Sequence, residues 1–95
     1  MIESKAEMQT SKAEVYIQML CKHFGHKTDV QQVSDDAFLI NLEFGTGEMT
    51  AAGSLLKLVA KADDEENLER AETVLGSHLE RFAFKEKLTV NWFRS

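Results

Sequence analysis

Apolar and polar positions alternate from Ala37 to Phe44, with Phe38, Ile40, Leu42 and Phe44 on one side and Leu39, Asn41 and Glu43 on the other. Period two with one apolar side is the pattern of a half-buried β-strand. Gly45-Thr46-Gly47 separates this run from a return strand at Glu48–Ala52, and Gly53-Ser54 separates that from the alternating run Leu55–Ala62. The first pair of glycines suits a tight hairpin, and connections this short leave no room for a crossover helix. A weaker strand, Thr28–Val33, precedes the turn residues Ser34-Asp35-Asp36. Four consecutive strands on short turns predict an antiparallel meander.

The flanks supply a helix on each side. Ile2–Gln9 alternates as a strand, and Ser11-Lys12-Ala13-Glu14 matches a capping box with Ser11 at the N-cap. The helix it starts runs from Lys12 to Phe24 on a stripe of Ala13, Tyr16, Ile17, Leu20, Cys21 and Phe24. Gly25 is expected to end it at positive φ, with Lys22, His23 and Lys27 near the negative end of the helix dipole. Asp63 or Asp64 caps a second helix that reaches about Phe84 on Leu68, Ala71, Leu75, Leu79 and Phe82. Leu88–Phe93 reads as a short last strand. The order is β-α-β-β-β-β-α-β: an α+β fold, an antiparallel sheet with two helices on one face burying its even-numbered side chains. Residues 1–95 form a single domain. In element order alone it is similar to TATA-binding-protein-like and helix-grip folds.

Composition narrows the function classes. A net charge of −5 without a basic stripe argues against binding nucleic acid or an anionic membrane surface. No apolar run approaches the ~20 residues of a spanning helix, and the first residues lack the apolar core of a secretory signal. One cysteine admits no internal disulfide. A cytoplasmic location is therefore expected. Every turn is made without proline, since the chain has none.

Two segments hold the chemistry. Cys21-Lys22-His23-Phe24-Gly25-His26 contains the only cysteine and two of the three histidines; the third is His78, at the rim of the second helix's apolar stripe. Thiolate and imidazole suit zinc or a similar transition metal. On one helix, however, residues two apart point about 200° apart, so Cys21 and His23 do not share an ion. The bland assignment gives Cys21 to the core, His23 to the helix end, His26 to a loop and His78 to a boundary hydrogen bond. Gly76, inside a helix, costs about 1 kcal/mol relative to alanine and so implies close packing there by the other helix or by the sheet. As a nucleophile Cys21 is poorly placed, on an apolar face near a helix C-terminus. No nucleotide-binding, zincin or hydrolase motif is present. The acids Asp63–Glu66 spread around the helix start and read as a dipole-matched turn. On the outer sheet face Leu39, Leu55, Val59, Val33 and Phe93 form a homodimer or ligand surface if clustered, and an ordinary solvated face if dispersed.

The stretches Leu20-Cys21-Lys22-His23-Phe24-Gly25-His26-Lys27 and Gly76-Ser77-His78-Leu79-Glu80-Arg81-Phe82-Ala83-Phe84 resemble the two signature blocks of a small bacterial family, domain-of-unknown-function family 2218. The likeness extends over most of the chain. Members of that family stand alone or joined to siderophore-interacting, flavin-dependent reductase domains. The resemblance thus implies a link to bacterial iron uptake and a partner of the siderophore-reductase type, but no reductase activity for this small domain. It singles out Cys21, His23, His26, His78, Glu80 and Arg81 without assigning them roles. The leading expectation is a non-enzymatic domain binding a transition metal or iron chelate through Cys21, His23, His26 and His78. A protein-interaction or homodimerisation module on the open sheet face is the alternative, and a small enzyme using Cys21 or His78 the weaker one. The deciding distance is that between the imidazoles: within about 5 Å, one ion bound at about 2 Å from each nitrogen touches both.

Overall fold

The structure is a computed structural model that describes residues 2–26 and 28–94. Its elements follow the expected order: β1 (Ile2–Gln9), α1 (Ala13–Phe24), β2 (Asp29–Ser34), β3 (Ala37–Leu42), β4 (Gly45–Ala52), β5 (Leu55–Ala62), α2 (Glu65–Phe82) and β6 (Phe93–Arg94). The strands form one antiparallel sheet in the order β2-β3-β4-β5-β1-β6. After α1 crosses the sheet, the meander β2 to β5 builds inward and β5 pairs with β1, closing the gap between the first strand and the rest. Lys27, expected near the negative end of α1, lies outside the described residues.

The core lies between the sheet and the two helices. From α1 come Tyr16, Ile17, Leu20 and Phe24; from α2 come Leu68, Ala71, Leu75 and Leu79; both sets are buried against Leu56, Leu58 and Ala60 of β5 and Ile40 of β3. Even-numbered residues face the helices in β1, β3 and β5, as expected. In β4 the parity reverses and Gly47, Met49 and Ala51 face inward. The cause is register: Ile40 pairs with Gly47, and Gly47 with Ala60, so odd positions of β4 sit opposite even ones on both neighbours.

That register also corrects the role of the first glycine pair. The β3–β4 turn is Glu43-Phe44, and Gly45 and Gly47 belong to β4 itself. A Cβ on Gly45 would lie 2.2 Å from the Lys61 carbonyl oxygen, and one on Gly47 would lie 2.7 Å from a Leu75 methyl. These glycines make room for neighbours rather than for a turn. By contrast Gly53, at φ 63, is the expected turn glycine between β4 and β5.

Three helix-end expectations also change. Ser11 does not cap α1; the N-cap is Lys12 without a side-chain cap, and the Thr10 hydroxyl accepts from the Lys12 N–H at 3.1 Å. Gly25 ends α1 at φ −61, with its N–H bonded to the Cys21 carbonyl, so no left-handed residue is needed. The second helix stops at Phe82, two residues early, and a turn with Lys87 at φ 56 reverses the chain. At its start Asp64 caps as expected, accepting from the Asn67 N–H at 2.8 Å. Of the predicted last strand Leu88–Phe93 only Phe93 pairs, with Lys5, and the strand extends instead to Arg94, which pairs with Ser4. The preceding Leu88, Val90 and Trp92 pack half-buried against the core from the flank of α2.

On the outer face, pairing places Leu39 next to Glu48, Glu48 next to Val59, Val59 next to Lys5, and Lys5 next to Phe93. Apolar and charged side chains therefore alternate across the strands, and Leu39 and Val59 do not touch as neighbours. Phe93 is 72% exposed and Val33, on the far edge strand, 56%. Among the described residues no helix is long and apolar enough to cross a membrane.

Candidate functional site

Helical spacing splits α2 into two edges. Arg70, Val74, His78 and Phe82 follow one another at four-residue steps along the edge facing α1 and the β3–β4 turn; Glu72, Gly76 and Glu80 do the same along the other.

The first edge meets the last turn of α1. His23 and His78 come together with ring centroids 4.6 Å apart and planes tilted by 42°. Phe24 lies 5.1 Å from the His78 ring, and Phe82 meets His23 edge-on at 5.9 Å. The Nδ1 atom of His78 is 2.6 Å from the Val74 carbonyl. A carbonyl only accepts, so Nδ1 carries the proton and the neutral ring keeps its lone pair on Nε2. A backbone carbonyl behind one ring nitrogen is the arrangement that orients metal-ligating histidines.

Both imidazoles line a cleft of about 260 Å³ that is also lined by Leu42 at the end of β3 and by Glu43 and Phe44 of the β3–β4 turn. Phe44 and Val74 also border a neighbouring cleft of about 410 Å³ lined by Arg70, Glu66, Glu69 and Thr73. The Arg70 guanidinium carbon lies 4.7 Å from the centroid of the Phe44 ring, a cation–π contact.

The predicted site residues thus part company. His23 and His78 meet, with their ring centroids 4.6 Å apart. His26 is exposed in the turn after α1. Cys21 is half-buried against the core, and burial pushes its thiol up, away from the reactive thiolate. Glu80 sits on the opposite edge of α2, where its carboxylate accepts from the Val90 N–H at 2.9 Å. Arg81 is exposed. Among the described residues no group of three or more His, Cys, Asp or Glu is arranged to hold a metal ion.

The second edge is covered by the C-terminal tail. A Cβ on Gly76 would lie 3.2 Å from Trp92 Nε1 and 3.5 Å from Val90, so the close packing inferred from this glycine is made by the tail, not by the other helix or the sheet. One turn earlier, Glu72 pairs with Arg94 through bonds of 3.1 and 3.3 Å. Burial alone would raise the Glu72 carboxyl, but the Arg94 guanidinium and the buried Ser4 hydroxyl facing it outweigh that and hold it below the usual range. Below α2, Glu86 accepts from Thr10 at 3.0 Å and from the Tyr16 hydroxyl. Burial and the Glu86 carboxylate together push Tyr16 up to about 12. Sequence reasoning missed these partners, and it missed Arg70 and Phe44. The four-residue step from His78 through Val74 was the signal that leads to Arg70.

Residues 5–93 match the family described as "Uncharacterized protein conserved in bacteria (DUF2218)", and the chain belongs to that family. No curated protein matches. Among solved structures the chain is similar to PA4090 from Pseudomonas aeruginosa, determined by NMR. The TM-score is 0.81 and the identity 29%, over 98% of this chain and 96% of that one.

Proposed function

We propose that this family member binds a transition-metal chelate in the groove between the end of α1, α2 and the β3–β4 turn, with His23 and His78 as the protein's ligands to the metal. The observation that carries the reading is the contact of the two imidazoles at 4.6 Å, one of them oriented by a backbone carbonyl, at the wall of an open cleft. Imidazole suits zinc, copper, iron and nickel. A bare ion would ask the protein for about four donors, whereas two imidazoles without a third protein ligand suit a metal that brings its other donors with it. An iron chelate handed to or from a siderophore-reductase-type partner fits this chemistry, in a binding role that needs no catalytic residue. His26, exposed beside the cleft's α1 wall, and Cys21, turned to the core, stay outside the ligand pair.

Calorimetry and histidine-ring NMR on untagged protein test the reading, with zinc alone, ferrous iron alone and nickel nitrilotriacetate, which leaves adjacent coordination positions open. Perturbation of the His23 and His78 rings by the chelate, lost in His78→Ala, is expected. Silence of both rings towards all three probes ends the metal reading. The dimer alternative is read in the same samples by sedimentation. The alternation of Leu39, Glu48, Val59 and Lys5 across the outer face favours a monomer.

A further inference from the structure

We infer that Arg70 is the second anchor of this groove, holding an anionic arm of the chelate whose metal sits on His23 and His78; the inference rests on the metal reading above. Arg70 and His78 lie two four-residue steps apart on α2, about 12 Å along the helix at about 1.5 Å per residue. Val74 lies midway between them, and it and Phe44 border both clefts, so a ligand lying past these two residues approaches both side chains.

The guanidinium is set for the task. Its carbon lies over the Phe44 ring, 4.7 Å from the centroid, and its five N–H groups are the donors it can offer a ligand. Glu66 and Glu69 line the same cleft, yet among the described residues Arg70 forms no ion pair. An arginine held over an aromatic ring, beside carboxylates it does not engage, is available to an acid group that arrives with a ligand. Glu43, Glu66 and Glu69 meanwhile make the groove as a whole unfavourable for diffuse negative charge and favourable for a metal cation. Together these features select a ligand with a cationic centre and a localised anionic arm at the Arg70 end.

Two nickel complexes separate the parts. Nickel nitrilotriacetate carries carboxylates; nickel tris(2-aminoethyl)amine carries amines instead; both leave adjacent positions for a pair of imidazoles. Arg70→Gln is expected to weaken the carboxylate complex about five-fold, the size of a solvent-exposed charged contact, and to leave the amine complex unchanged or tighter. His78→Ala abolishes binding of both. Equal weakening of the two complexes by Arg70→Gln, or no change in either, overturns the role of Arg70 while the histidine pair stands. Failure of the unaltered protein to bind either complex overturns the metal reading, and the role of Arg70 with it.

Discussion

The two edges of α2 carry the same four-residue spacing and meet opposite fates. Along Glu72, Gly76 and Glu80 each residue has a partner from the tail: Arg94, Trp92 and the Val90 N–H. Along Arg70, Val74 and His78 the neighbours are aromatic rings and an open groove. Periodicity places residues on an edge; what the remainder of the chain lays over that edge decides whether they hold the fold or face a ligand. The covered edge should therefore answer substitution in stability, and the open edge in binding.

Gly76→Val gives the largest expected effect. Its branches enter space held by Trp92 and Val90, lift the tail and cost about 3 kcal/mol in denaturant unfolding. Gly76→Ala is the contrasting control. Its Cβ needs a few tenths of an ångström from Trp92, and the gain in helix propensity of about 1 kcal/mol offsets that strain.

Next comes Glu72→Ala, which leaves Arg94 without its carboxylate and costs about 2 kcal/mol, less than for a fully buried pair because Arg94 is partly solvated. Because the Glu72 carboxyl is held below its usual range, its contribution is present above that range and is lost as pH falls through the lowered value. Glu72→Gln should flatten the acid limb of the stability profile.

Tyr16→Phe costs about 1 kcal/mol near neutrality, since it removes the donor to Glu86. Here the pH sign is opposite. With Tyr16 raised from 10.0 to about 12 in the folded chain, its contribution is complete below pH 10.0 and is lost as pH rises towards 12. Phenylalanine should remove that alkaline loss.

The smallest stability effect belongs to the open edge. His78→Ala should cost less than about 1 kcal/mol, the value of one hydrogen bond to a helix carbonyl, while it abolishes chelate binding. A cost of several kcal/mol from His78→Ala with binding intact would erase the distinction between the edges.

Local pattern made most of the scaffold legible. Alternation in β1, β3 and β5 and the stripe on α2 gave element type, order and inward face, because these depend on residues close in sequence. Glycine was harder to read. Gly45, Gly47 and Gly53 look alike in the chain, yet Gly53 turns it while the other two yield to Lys61 and Leu75. Gly76 announced a close approach but not the identity of what approached. The ties of Thr10 and Tyr16 to Glu86 join residues 76 and 70 apart, and that of Glu72 to Arg94 joins residues 22 apart. No periodicity encodes such pairs. Thr10 also shows how a distant partner overrides a local motif: with its hydroxyl held by Glu86, Thr10 rather than Ser11 accepts a bond at the start of α1, from the N–H of the N-cap residue Lys12. At the candidate site, the histidines stood out by residue type, but only the crossing of α1 with α2 put His23, rather than Cys21, against His78.

The pairing of Ser4 with Arg94 brings the outermost strands of the chain side by side. Tension applied through both ends of such a domain would first peel a two-residue strand and the Glu72–Arg94 clasp, well before it reached the meander. For a host polypeptide threaded in at β1 and out at β6, the domain is a bead on a short loop. Its entry and exit share one corner.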